Sequence, residues 1–181
     1  MSKLSDCWRT PNWLFNKLNK EHGPFDIDLC ATAENSKCEY FHTNETDYLT
    51  SEGELLKFRK AAFMNPPYSN PLPFIEKAWE DSKHCKIVCL VKCDPSTKWW
   101  STFWEYNVAC PFCAADGTWD KCTRCNKDGY YPRYNGPKPG CAVQFLPKRV
   151  KFDPPIGYTG KVSSPSFASA IVIMDRRDVC L

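Results

Sequence analysis

The run Ala61-Ala62-Phe63-Met64-Asn65-Pro66-Pro67-Tyr68 decides the fold. Four apolar residues in a row fit either a buried strand or a piece of buried helix. The two prolines that follow settle the matter. Each fixes φ near about −65° and removes a backbone donor, so a helix cannot run on through them. The run therefore reads as a buried strand that ends in a rigid loop. Downstream, Pro73 opens a helical pattern with Phe74, Ile75, Ala78 and Trp79 on its inner side. Ile87–Val91 is a second buried strand, and Asp94-Pro95 is expected to start a helix holding Trp99, Trp100, Phe103 and Trp104. Upstream, Thr10 is placed to cap a helix with Pro11 in its first turn. Leu14, Phe15 and Leu18 share one face of that helix, and Gly23-Pro24 stops it. Phe25–Cys30 alternates apolar with acidic residues and reads as a short strand. A polar stretch then leads into an acidic, helical patch ending near Lys60. Strand and helix alternate, which predicts an α/β sheet with parallel neighbours.

From about Val108 to Cys141 this pattern breaks. Cysteine, glycine, proline and aromatic residues take over and no amphipathic period survives. Strand-like segments return at Val143–Phe152 and Ala168–Met174. The expected organisation is one main domain, residues 1–107 and 142–181, carrying a compact insertion over residues 108–141.

Bulk properties narrow the setting. The chain has 181 residues, 43% of them hydrophobic, enough for one real core. A net charge of +3 neither demands nor forbids a nucleic-acid partner. Residues 1–10 are polar and lack the apolar centre of a signal peptide. The longest apolar runs are far too short to span a bilayer, so no membrane partner is expected. These features predict a cytoplasmic protein. Twelve cysteines would suit a secreted disulfide scaffold, but chain length and the polar start argue against that. Cys30, Cys89 and Cys180 sit in apolar runs and read as small buried hydrophobes in a reducing compartment.

The loop after the central strand suits one kind of chemistry. An exocyclic amino group such as adenine's is a poor nucleophile, because its lone pair is delocalised into the ring. A catalyst must accept hydrogen bonds from that group and hold it in line with a methyl donor. Asn65 offers a side-chain carbonyl, and Pro66 a backbone carbonyl. Pro66 and Pro67 together leave only acceptors on the local backbone. Tyr68 offers an aromatic face on which an extruded base can stack. Positioning then supplies most of the rate, with no covalent enzyme intermediate and no cysteine nucleophile. The plain alternative is a structural Pro-Pro turn. Placement at the C-terminal end of a buried strand, where open α/β sheets bind ligands, favours a site.

The ordered set of segments resembles the phage-type DNA N-6-adenine methyltransferases, the Dam-like family of phages and prophages. The matching stretches are Trp8-Arg9-Thr10-Pro11, Phe25–Ala31 with Asn35, Asp47-Tyr48-Leu49, Asn65–Ser69, Ile87–Val91, Lys98-Trp99-Trp100 and Arg149-Val150-Lys151-Phe152. The resemblance implies a Rossmann-like methyltransferase sheet, S-adenosylmethionine as methyl donor, double-stranded DNA as partner and action inside a bacterial host. It places Asp28 and Ala31 in the cofactor pocket, makes Trp8 a further cofactor contact, and brings Thr10 with Pro11 to the methionine end of that pocket. Asp47 is a candidate for the cofactor's adenine, with helix capping as the competing role. On residue type alone Asp28 would pass for an exposed acid on an edge strand. One departure stands out: no glycine lies between Asp28 and Thr32, so the usual glycine-rich turn is absent. The short span from Asp28 to Asn65 also requires the strands usual in larger methyltransferases to be shortened or rearranged. Lys98, Arg149 and Lys151 are candidate phosphate contacts, against the commoner reading of solvated charge.

Cys110-Pro-Phe-Cys113 and Cys122-Thr-Arg-Cys125 are two CxxC knuckles, eight residues apart. Four thiolates at this spacing wrap one Zn²⁺ tetrahedrally, and four protein ligands leave no open position, so the metal is expected to be structural. Two disulfides, a redox pair or an iron–sulfur cluster fit less well, and Cys141 is a spare thiol. Arg124, Lys127 and Arg133, interleaved with aromatics, suit contacts with DNA, while the aromatics equally suit the small core of a zinc-ribbon-like module. Three functions remain open at this level. One is adenine methylation, and another is the same loop chemistry on cytosine N-4 or a protein glutamine. The third is a non-catalytic, zinc-dependent DNA-binding protein. Oligomeric state and target sequence are open.

Overall fold

A computed structural model describes residues 4–51, 53, 60–106 and 135–179. At its centre is a six-stranded sheet in the order β2-β1-β3-β4-β8-β7. The strands are β1 (Phe25–Asp28), β2 (Tyr40–Phe41), β3 (Ala61–Met64), β4 (Lys86–Lys92), β7 (Cys141–Phe145) and β8 (Ser169–Met174). Strands β2, β1, β3 and β4 run parallel, while β8 is antiparallel to both β4 and β7. This mostly parallel sheet fits the Rossmann-like methyltransferase fold anticipated from the sequence.

Alternation along the strands sorts the core into two halves. Ala62, Met64, Ile87, Cys89, Val91, Ala170, Val172 and Met174 face α2 (Leu72–Asp81), which buries Ile75 and Ala78 against them. Ala61, Phe63, Val88, Leu90 and Ile171 face α1 (Asn12–His22), which contributes Leu14, Phe15 and Leu18. The central strands are covered on both sides, which is why they read as unbroken apolar runs. Each large side chain removed from water here stabilises the fold by about 1.5–3 kcal/mol before entropy is counted.

Four expectations change in the structure. Thr10 does not cap α1: Pro11 occupies the cap position, its carbonyl accepts from Leu14 and Phe15, and Thr10 is buried instead. The helix expected after Asp94 is a short 3-10 turn, Lys98–Thr102, and Trp104 belongs to strand β5 (Trp104–Tyr106). Neighbouring Trp99 and Trp100 cannot both lie on one narrow α-helical stripe. The tighter turn brings Trp100 over Phe103, with ring centroids 5.1 Å apart. Third, β1 is not an edge strand, because the two-residue β2 covers it, so Asp28 is only 3% exposed. Last, the strand expected to reach Phe152 stops at Phe145. Leu146 still donates to Ser169 O, but Pro147 has no N–H to extend the ladder.

β5 pairs antiparallel with β6 (Asn135–Pro137), closing a two-stranded ribbon around residues 107–134. Cys110, Cys113, Cys122, Cys125, Arg124, Lys127 and Arg133 all fall in that stretch and lie outside the described residues. So does most of the acidic patch before Lys60. Cys141 opens β7, where it pairs with Met174 and packs against the core. Among the described residues no helix is long and apolar enough to cross a membrane.

Candidate functional site

The C-terminal ends of β1 and β3 lie at one edge of the sheet, and the loops leaving them line two adjoining cavities together with segments from both ends of the chain. The first, about 460 Å³, is the more polar of the two. Leu29, Cys30 and Ala31 from the loop after β1 form its floor, with His42 and Asp47 from the chain after β2 and Asn65 and Pro67 from the loop after β3. The second, about 420 Å³, is walled by Trp8, Tyr68, Phe152 and Phe167, with Ser163–Ser166 across the top. Asn65 lines both. A shelf between them is lined by Thr10, Asp28, Lys37 and Phe63.

The loop geometry follows from local chemistry. Ala31 N donates to His42 O, and His42 N donates to Asp28 O, so the chain after β1 is tied to the end of β2. Asp28 anchors the same loop from beneath: its two oxygens accept from Cys30 N (3.3 Å) and Lys37 N (3.2 Å). Burial pushes the Asp28 carboxyl up to about 7, although both amides and the Lys37 charge pull the other way. Asp47 accepts from Leu49 N at 3.0 Å, capping the Tyr48–Thr50 turn, and lines the polar cavity as well. Capping thus leaves Asp47 on the cavity wall. Tyr48 beneath it is buried, with its hydroxyl on Asp81 at 2.8 Å.

Asn65 Oδ1 is buried and has no hydrogen-bond partner. A buried carbonyl left open costs about 1–3 kcal/mol, and such exceptions cluster where a ligand completes the bonding. Tyr68 meets Phe152 (6.0 Å) and Phe167 (5.4 Å) in edge-to-face contacts. Its buried hydroxyl also has no partner, and burial raises its pKa well above the phenol range. The ring is thus fixed by apolar packing rather than by a polar tether.

The N- and C-terminal parts of the chain meet over this site. Arg9 and Asp153 exchange both backbone hydrogen bonds at 2.9 Å, and Arg9 Nε donates to Pro154 O. That two-residue bridge brings Phe152 against Tyr68 and holds Trp8 beside Tyr158. A turn follows, with Tyr158 N donating to Pro155 O and Gly157 at φ +77, a conformation glycine adopts freely. It lifts Ile156 to the rim of the polar cavity.

Of the residues expected at the site, Trp8, Thr10, Asp28, Ala31, Asp47, Asn65, Pro66, Pro67 and Tyr68 all line these cavities. Pro11 lies one residue beyond, at the head of α1. Lys98, Arg149 and Lys151 are exposed and line none of them. Asp6 and the Ser163–Phe167 segment were not anticipated. Asp6 sits in a polar N-terminal stretch with no motif, and Ser163–Phe167 in a loop with no periodicity. Only proximity to Trp8 on one side and Phe152 on the other pointed to them. Among the described residues no cluster of three or more potential metal ligands occurs.

No solved structure matches the chain. A DNA N-6-adenine-methyltransferase of Haemophilus phage HP1 is 41% identical over 97 residues, 52% of this chain and 54% of that protein. The DNA N-6-adenine-methyltransferase of Escherichia phage T1 is 36% identical over 99 residues, covering 54% of this chain and 40% of the relative. The chain thus matches about half the length of these relatives. The family model for DNA N-6-adenine-methyltransferase (Dam) matches residues 1–111, which include Trp8, Asp28 and the whole Asn65–Tyr68 loop. With the mostly parallel sheet and the two cavities meeting at Asn65, that match identifies the chain as a member of the DNA N-6-adenine-methyltransferase (Dam) family.

Proposed function

We propose that the chain methylates the exocyclic N-6 of adenine in double-stranded DNA, with S-adenosylmethionine as donor. The observation that carries this reading is the unpartnered, buried Asn65 Oδ1 at the junction of a polar and an aromatic cavity. The polar cavity fits an adenosyl amino acid. Ala31 and Asp47 line the side toward β2, Thr10 and Pro11 lie toward the amino-acid end, and Trp8 and Asp28 border the shelf beside it. The aromatic cavity fits a purine rotated out of the helix, with Tyr68 as one wall.

Bound S-adenosylmethionine supplies an activated methyl group on a sulfonium. The protein supplies alignment. Asn65 Oδ1 accepts one amino hydrogen of the base, and the Pro66 carbonyl accepts the other. Together they draw the nitrogen lone pair out of ring conjugation and toward the methyl. Pro67 keeps that carbonyl in place because its own φ is fixed.

Exposed Lys98, Arg149 and Lys151 are our candidate contacts for DNA phosphates, with Arg124, Lys127 and Arg133 of residues 108–141 as further ones. We assign one structural Zn²⁺ to Cys110, Cys113, Cys122 and Cys125 on their knuckle spacing. The β5–β6 ribbon is a stem suited to carrying such a module. Resemblance to phage enzymes supports action in the cytoplasm of a bacterial host.

The decisive experiment is methyl transfer from labelled cofactor to duplex DNA, followed by nucleoside analysis. Label in N-6-methyladenosine is the expected result. Label in methylcytosine, in protein only, or nowhere overturns the assignment.

A further inference from the structure

The reaction proposed above moves one positive charge. It begins on the donor's sulfur in the polar cavity and ends on the base nitrogen in the aromatic one. Asn65 separates these places but carries no charge and cannot hold a proton. Among the described residues, Asp6 is the one carboxylate that lines both cavities, and it also lines the shelf joining them beside Asn65. The acids Glu34 and Asp47 line only the polar cavity, and Asp28 only the shelf.

Asp6 is also held in place. Its Oδ1 accepts from Ser69 N at 3.0 Å and its Oδ2 from Ser69 Oγ at 2.6 Å. Ser69 directly follows the Asn65–Tyr68 loop, so the carboxylate is fixed to the same short segment that presents Asn65. Each oxygen keeps a free lone pair.

We infer that Asp6 is a catalytic residue: its carboxylate is the counter-charge for the methyl donor's cationic centre and the acceptor of the proton that the reacting amine loses. This rests on the reading under Proposed function. In the balanced step the base nitrogen forms a bond to the methyl carbon as the carbon–sulfur bond breaks. The bond pair stays on sulfur, which becomes a neutral thioether. The nitrogen takes the positive charge, one of its two hydrogen bonds to Asn65 Oδ1 and the Pro66 carbonyl breaks, and that proton passes to Asp6 and from the resulting carboxylic acid to solvent.

Binding tests the counter-charge without requiring turnover. Calorimetry on the full chain would compare S-adenosylmethionine with its neutral product, S-adenosylhomocysteine, for wild type, Asp6→Asn and Ser69→Ala. Asp6→Asn should weaken the cationic ligand about ten-fold and leave the neutral one within two-fold. Ser69→Ala, which removes one tether but keeps the charge, should change neither by more than about three-fold. Equal weakening of both ligands in Asp6→Asn, or of neither, overturns the inference.

A single-turnover assay on DNA supplies the second readout. Asp6→Ala should lose about 10²-fold in rate, and added formate should restore part of it. Loss without formate rescue, matched by Ser69→Ala, shows that Asp6 only tethers the loop and overturns the proton role. A chain that binds S-adenosylmethionine in this charge-selective way but leaves adenine unmethylated sinks the adenine assignment and leaves the counter-charge standing.

Discussion

Asn65 carries a conflict between stability and activity. Its buried, open acceptor costs the ligand-free protein free energy, so Asn65→Ala should leave thermal stability unchanged or slightly raised. The same substitution should lower the single-turnover methylation rate by about 10²–10³-fold, the usual cost of losing one preorganised hydrogen-bonding partner. A melting curve and a rate measurement together check this, and a stability loss equal to the activity loss would contradict it. Asp28 makes a second prediction. Its carboxyl, ordinarily near 3.8, is raised to about 7 by burial. A folded-state value above the unfolded one means the neutral form is favoured. Its contribution is fully present below about pH 4 and is lost as pH rises through about 7. The ligand-free melting temperature should therefore fall across that window more steeply for wild type than for Asp28→Asn. Parallel profiles would show that Asp28 is not the group responsible. Asn65 and its prolines were legible in the sequence because the motif is local. The burial of Asp28 was not, because it depends on β2 covering β1.

At the level of elements, the site is assembled by a strand bridge rather than by a helix. Arg9 and Asp153 pair across most of the chain, and Phe152 then buttresses Tyr68. Phe152→Ala removes a 7%-exposed ring from the α1-side core and from the wall of the aromatic cavity. It should cost about 3–5 kcal/mol in urea unfolding if the gap stays open. It should also weaken DNA turnover while leaving S-adenosylmethionine affinity nearly unchanged, because the polar cavity does not include it. Equal loss at both ligands would place Phe152 in the general core only. The two central strands and both helices were readable from apolar runs and proline positions. The 3-10 turn at Lys98–Thr102 was not, because Trp99, Trp100 and Phe103 take their places from packing against α2.

For the molecule as a whole, β5 and β6 flank the cysteine-rich stretch along the chain and pair with each other. This arrangement predicts that zinc and catalysis are separable. Native mass spectrometry should find one Zn²⁺ per chain, lost when Cys110 and Cys113 are both replaced by serine. That variant should keep S-adenosylmethionine binding, since the cavity residues lie outside residues 107–134, and should bind DNA more weakly. A zinc-free wild-type chain would overturn the metal assignment. Collapse of cofactor binding along with the metal would overturn the separation.

The sequence by itself determined the α/β alternation, the strand that delivers Asn65–Tyr68 and the family to which the chain belongs. Those features are written in local periodicity, in proline stereochemistry and in short ordered motifs. Only the tertiary structure decided that the neutral Asn65 would stand between two cavities. It also decided that Asp28 would be buried, and that Asp6 and Phe152, from opposite ends of the chain, would meet around the loop. Those outcomes depend on strand order and on a backbone bridge between distant segments, and no local pattern encodes either.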